Sequence, residues 1–341
     1  MGCNCANNPE HLSEMLNERR QTTNKPEENE ANEDIPIKQN DEEEMFDVEE
    51  EKQKLKEKLS LIGHFLDKDI KNIINDIEPK INSFELPKEI VERNKKSNIV
   101  KLPLIKMNNG YIYDGYWNLE GKKEGFGIII YENKYIYKGL WKNDIFDEYG
   151  CLYNKDNYYV GQFVNGIAKG KGELLINNKI KYIGDFDNNL PNGQGKIIYL
   201  EEEMNYTGNI VNGNKEGFGV LEFKDGTKYE GEFKNDKYNG KGKIKYSDNS
   251  EYEGDFQNNL KEGKGIFKLA DGKIFEGEFK NDKKNGKGKL IFTTNQFYEG
   301  CWINDLAHGK GLFDINGKKY FGIFKYGKMI IYKNNDDLLN K

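Results

Sequence analysis

The stretch "YEGEFKNDKYNGKGKIKY", Tyr229 to Tyr246, is followed by "YEGDFQNNLKEGKGIFKL", Tyr252 to Leu269, in which the aromatic and glycine positions recur and the residues between them change. Tyr, Gly and Phe at i, i+2 and i+4 share one face of an extended strand, because strand side chains alternate with period 2. Seven residues after the second aromatic come Gly240, Gly242 and Ile244, again on one face of a strand. Each unit therefore reads as a β-hairpin.

Working outward, the glycine of each aromatic-x-Gly recurs at Gly115, Gly139, Gly161, Gly184, Gly208, Gly231, Gly254, Gly277, Gly300 and Gly322, at spacings of 22 to 24 residues. Such self-similarity marks a repeat architecture, here nine units and a partial tenth. Between units, "KDGT" (Lys224 to Thr227), "ADGK" (Ala270 to Lys273) and "INGK" (Ile315 to Lys318) carry Asp-Gly or Asn-Gly pairs. These favour tight primed turns, and they predict a continuous antiparallel meander. A strand glycine costs stability unless something needs the space. The rings of Tyr and Phe are the expected occupants, forming an aromatic row on one face. On the other face, Glu230 and Glu232 meet Lys241, Lys243 and Lys245 from the partner strand, so that face reads as solvated and self-neutralising.

Tyr-x-Gly-x-Phe/Trp followed by Gly-x-Gly at this period resembles the MORN (membrane occupation and recognition nexus) repeat, from residue 111 to about 330. The resemblance implies a mainly β fold: an elongated, single-layer, twisted antiparallel sheet of about nine hairpins. The units depart from the pattern at Glu148, which replaces a glycine, at Ile210, which replaces an aromatic, and in the truncated "YFGIFKYGK".

The expected organisation is a disordered acidic segment over 1–47, an amphipathic helical segment over 48–100, the repeats over 101–333 and a tail over 334–341. Residues 1–100 carry 15 Lys+Arg against 24 Asp+Glu, and the remainder 37 against 34. That balance lacks the basic footprint of a nucleic-acid binder. The start "MGCNCA" resembles an N-myristoylation site at Gly2 beside S-palmitoylation sites at Cys3 and Cys5, with Ala6 where Ser or Thr is usual. One acyl chain holds a protein only marginally, so the cysteines would supply the second signal. Farther on, Leu55, Leu59, Ile62, Leu66, Ile70, Ile73 and Ile77 form one stripe of an amphipathic helix ending before Pro79. That stripe is expected on the aromatic row of its own repeats, on a second copy, or on a partner. "FELPKEIVERN" predicts a shorter helix before a first strand near Ile105.

Catalytic chemistry has little to work with. His11, His64 and His308 are scattered, the Gly-x-Gly pairs lack the helix that a phosphate loop needs, and no metal set or cofactor motif is present. "DFDNNLPNGQGK" has a calcium loop's alternating acids, but Leu190 and Lys196 stand where its turn glycine and bidentate Glu belong. The expectation is a non-enzymatic protein with no small-molecule substrate, no metal and no nucleic-acid partner. Its partner would be an amphipathic helix or a cytoskeletal component, docking along Tyr229, Phe233, Tyr252, Phe256, Phe275, Phe279, Tyr298 and Trp302. The main role expected of those rings is mutual stacking. MORN proteins, by resemblance, occupy membrane–cytoskeleton junctions, the cell cortex and flagellar structures. A membrane-tethered scaffold on the cytoplasmic face of a membrane, at the cortex or in a cilium is thus the first expectation. The alternatives are a fixed component of an axoneme or cortex, and a phosphoinositide-binding module.

Overall fold

A computed structural model describes residues 48–66, 70, 84–93, 98–131 and 135–334. The chain divides into two units, Met1–Pro191 and Asn192–Lys341, the boundary falling within the strand Leu190–Tyr199. Both are antiparallel meanders, so the expected mainly β fold is what the structure has. In the first unit the hairpins are Ile112–Asn118 with Lys123–Tyr131, Tyr135–Lys142 with Ile145–Asn154, and Asn157–Val164 with Ile167–Ile176. In the second, Lys228–Lys234 with Lys237–Lys245 and Glu251–Gln257 with Leu260–Lys268 set the pattern.

Register follows the glycines. Gly231 sits opposite Gly242, Gly242 opposite Gly254, Gly254 opposite Gly265 and Gly265 opposite Gly277, so one glycine line crosses the sheet. A Cβ on Gly231 or Gly242 would lie 2.6 or 2.5 Å from the Tyr229 hydroxyl, because that ring lies flat across both. The first glycine of each Gly-x-Gly has another task. Gly240 takes φ +94° at a break in the register, where a Cβ would meet the Glu232 carboxylate instead of a ring. Glu148 holds the same left-handed region at φ 59°, so the repeat there keeps its bulge without glycine.

The primed turns lie elsewhere than expected. Within hairpins, Asn235 and Asp236 have φ of 47° and 65°, and the pairs at 143–144, 188–189, 258–259, 281–282 and 304–305 are likewise both positive. These are type I′ geometries, which match the twist of the flanking strands. Between hairpins, "KDGT" has only Gly226 positive, with Gly226 N–H donating to Phe223 O. That is a type I turn closed by a left-handed glycine. "INGK" alone of the three quoted turns has both central residues positive, at Asn316 and Gly317.

The second turn residue also ties its hairpin to the preceding one. Asp236 N–H donates to Lys215 O (3.1 Å), and Lys215 N–H returns a bond to Asp236 Oδ1 (3.0 Å). The same reciprocal pair joins Asp144 to Lys123, Asn189 to Ala168, Asn259 to Tyr238, Asp282 to Lys261 and Asp305 to Lys284. A short polar side chain that tolerates φ > 0 is required at that position, and Asp or Asn supplies both properties.

The amphipathic stripe does not run as one helix. Helix α1, Val48–Ser60, ends before Gly63, and β1 (Gly63–Phe65) pairs with the strand Ile105–Met107. Leu55 and Leu59 are buried, whereas Ile62, beyond the helix end, is 46 % exposed. Helix α2 (Lys88–Arg93) matches the shorter predicted helix and precedes the strand Ile99–Lys101, which pairs with Ile112–Asn118. Ile73 and Ile77 lie outside the described residues.

Part of the N-terminal segment packs on the face opposite the rings. Tyr113 and Tyr137 pair with Ile129 and Leu152, so alternation puts Ile128, Ile130, Cys151 and Tyr153 on the reverse face. There they form a core with Ile70, Leu104 and Ile136, against which Leu66, Phe84 and Val160 pack. Phe84 also stacks on Tyr149, with centroids 6.2 Å apart. Leu66 and Ile70 of the expected stripe therefore pack on the face opposite the aromatic row. The first three hairpins carry Ile, Val, Cys and Tyr on their reverse face where later ones carry Glu and Lys, and apolar area decides where the segment settles.

Candidate functional site

Two surfaces of the repeats bear on binding. The first is the aromatic row expected from sequence. Tyr229, Phe233, Tyr252, Phe256, Phe275, Phe279, Tyr298 and Trp302 are brought onto one face of the second unit, and all are 0–5 % exposed. Each tyrosine hydroxyl donates to the backbone oxygen three residues on, as Tyr229 does to Glu232 (2.8 Å) and Tyr252 to Asp255 (3.0 Å). Rings of neighbouring hairpins meet edge to face, Tyr229 with Phe256 at 5.2 Å and Phe275 with Trp302 at 5.2 Å. The second residue after the central pair of the I′ turn closes the outer side at Tyr229, Tyr252 and Phe275. Tyr238 stacks on Tyr229 at 3.7 Å, and the Lys261 and Lys284 ammonium groups lie 5.6 Å from the Tyr252 centroid and 5.3 Å from that of Phe275.

Burial pushes the Tyr229 and Tyr252 hydroxyls well above the usual phenol range, so they remain neutral donors. Burial also holds the Lys284 ammonium below the usual lysine value, with the Asp305 carboxylate opposing. For Lys215 burial acts in the same sense, but the Tyr199 oxygen at 2.9 Å and the Asp236 carboxylate at 3.1 Å outweigh it and raise the value. The stacking role expected of the row is therefore seen in full. The docking surface expected of it is not exposed: the rings spend their area on glycines, on each other and on the lysine stems above them.

The second surface is on the reverse face of the second unit. A groove of about 1290 Å³ runs across successive strands, floored by the glycine line and lined by five glutamates and five lysines. Glu230, Glu253, Glu276 and Glu299 occupy one equivalent position in four successive hairpins, and Lys241, Lys264 and Lys287 occupy another. Self-neutralisation is incomplete. Lys241 pairs with Asp255 at 2.5 Å, and Lys243 reaches Glu251 at 3.2 Å instead of its register partners Glu230 and Glu253. Lys289 approaches Glu299 only to 4.0 Å. Among the described residues, Glu230, Glu253, Glu276, Lys264 and Lys287 are left without an ion-pair partner. The acids at the neighbouring row are used locally: Asp255 accepts from Lys264 N–H at 3.0 Å and Glu278 from Lys287 N–H at 3.3 Å. The sequence places Glu230, Lys241 and Lys243 on this face but pairs them by alternation alone. The signal available was that the same sign returns at one position in every unit.

Gly2, Cys3 and Cys5 lie outside the described residues. Among the described residues no group of three His, Cys, Asp or Glu side chains is placed to hold a metal ion.

A model of the MORN repeat matches nine consecutive segments, from residues 113–134 to 298–317. The chain belongs to the MORN-repeat family. Its nine MORN repeats place it among repeat-containing proteins of the adaptor or scaffold type. It is similar to Alsin of Homo sapiens and of Pan troglodytes, at 32 % identity over 88 residues in each case, 24 % of this chain; the chain spans only 5 % of the length of those relatives. Among solved structures it is similar to the SAS-4 TCP domain of Drosophila melanogaster, solved with a proline-rich motif of Ana2. There the identity is 16 %, the match covers 51 % of this chain and 83 % of that one, and the TM-score is 0.26. It is also similar to the TCP10 domain of Danio rerio CPAP, at 8 % identity, covering 68 % and 99 %, with a TM-score of 0.22.

Proposed function

We propose that the protein is a non-enzymatic, membrane-tethered scaffold that binds a helical protein partner through its repeat sheet at a membrane–cytoskeleton junction. The observation that carries this reading is the open groove on the second unit, a charged surface that crosses successive strands and has no reactive constellation among its lining residues. The aromatic row serves it from beneath, since rings such as Tyr229 and Tyr252 hold the floor on which the partner lies. Myristoylation at Gly2 with palmitoylation at Cys3 and Cys5 supplies the tether, two chains giving the residence that one cannot. With equal numbers of glutamates and lysines, the groove favours a protein partner over a phosphoinositide surface, which would select net positive charge.

Membrane fractionation tests the tether. Gly2→Ala is expected to move the protein from the membrane to the soluble fraction. Equal membrane retention by Gly2→Ala refutes acyl anchoring, and retention in the detergent-insoluble cytoskeleton after membranes dissolve favours a fixed axonemal or cortical component.

A further inference from the structure

We propose that the groove of the second unit selects a partner α-helix by the period of its charges: basic side chains about every seven residues on one flank, and acidic ones at the same period on the other. The inference rests on the scaffold reading and specifies its partner.

Two observations lead to it. Glu230, Glu253 and Glu276 are exposed, line the groove, and have no ion-pair partner among the described residues. They recur once per hairpin with Lys243, Ile266 and Lys289 on the strands between them, and along the other side Lys264 and Lys287 recur with Asp255 and Glu278 on the strands between. Lys243 is taken by Glu251, whereas Lys264 and Lys287 have no ion-pair partner among the described residues. Successive hairpins are two strand spacings apart, about 10 Å. An α-helix climbs that distance in about seven residues, two turns, and so returns the same face to each hairpin. The difference between the two repeats is about 1 Å per hairpin, which flexible lysine and glutamate side chains absorb over three hairpins. An extended strand climbs the same 10 Å in about three residues, an odd number that turns its side chains to alternate faces at successive hairpins. On this face the glycine line presents bare backbone between the two rows of charges, because side chains at those positions point to the ring face, so a helix can settle between the rails.

The test uses the full chain and designed alanine-based helical peptides of about three heptads. One peptide carries lysine about every seven residues on one flank and glutamate on the other; a second has the same composition with the charges about five residues apart. Fluorescence anisotropy is expected to show the phased peptide binding about tenfold more tightly, from a few exposed charge pairs acting together. Glu230→Lys/Glu253→Lys/Glu276→Lys is expected to weaken the phased peptide by a similar factor and to improve binding of a third peptide with glutamate on both flanks. The three residues are exposed, so the fold should persist, and Glu230→Gln/Glu253→Gln/Glu276→Gln gives a milder loss without new charge. Equal affinity for phased and unphased peptides, indifference to the three carboxylates, or absence of peptide binding overturns the proposal. Those outcomes leave the scaffold reading standing, because that reading is decided by the fractionation experiment.

Discussion

Tyr229 does three jobs with one ring: it covers Gly231 and Gly242, it closes a hydrogen bond to Glu232 O, and it offers its outer face to Tyr238. Gly242→Ala would drive a methyl to 2.5 Å from the hydroxyl, on a ring held from both sides. A loss of about 1–3 kcal/mol is expected from such overpacking, read as a lower urea midpoint. Tyr229→Phe keeps the ring and loses only the 2.8 Å hydrogen bond, so about 1 kcal/mol is expected. Phe275 already occupies the equivalent position, which shows that the ring, and not the hydroxyl, is what the repeat requires. At this scale the sequence was readable because period-2 spacing put ring and glycine on one face. The burial of the row was harder to see, since a one-layer sheet suggests wet rings. Here the post-turn residue acts as a roof, and its identity varies among Tyr, Phe and Lys, which hides it in composition.

At the scale of the hairpin, the decisive contact is the turn residue that reaches back to its predecessor. Asp236→Ala removes the acceptor for Lys215 N–H and the carboxylate at 3.1 Å from its ammonium, and it puts a non-glycine, non-Asx residue at φ 65°. Asp236→Gly restores the backbone freedom without the acceptor, and Asp236→Asn keeps both. The expected order of thermal stability is Asp > Asn > Gly > Ala, spanning about 2 kcal/mol. An Ala variant as stable as Gly would show that the backbone conformation contributes nothing there. The Asn-Asp and Asn-Asn pairs were less legible than Asp-Gly and Asn-Gly, because the latter are the stronger turn signals. Only the hydrogen bonds between hairpins reveal why a side chain, and not glycine, was retained.

For the whole molecule, the N-terminal segment and the first hairpins share one core, in which Ile70 and Leu104 pack with Ile128, Ile136 and Cys151. Burial pushes the Cys151 thiol up from 9.0 to about 12. Below pH 9 both folded and unfolded chains keep that proton. Between 9 and about 12 the unfolded chain releases it first, so stability falls as pH rises. In Cys151→Ala the decline of the urea midpoint across that range is expected to be shallower. At neutral pH, alkylation in a Cys3→Ser/Cys5→Ser chain should modify half-buried Cys301 well before buried Cys151. A chain beginning at residue 101 should lose that ordering, since it lacks the cover over Cys151. The apolar stripe of the segment was visible in sequence, but its destination was not: Gly63 ends the helix pattern, and only register shows which face of the hairpins is apolar.

The reciprocal bonds from turn to preceding hairpin each span 21 residues. No long loop therefore has to close before such a bond can form, and the conformational search for each new hairpin is the same size as for the last. On a ribosome, every emerging turn meets a docking strand that has already been synthesised. Gaining or losing a unit during evolution then changes length without raising the kinetic barrier, so the number of repeats can be set by what must be spanned and not by what can be folded.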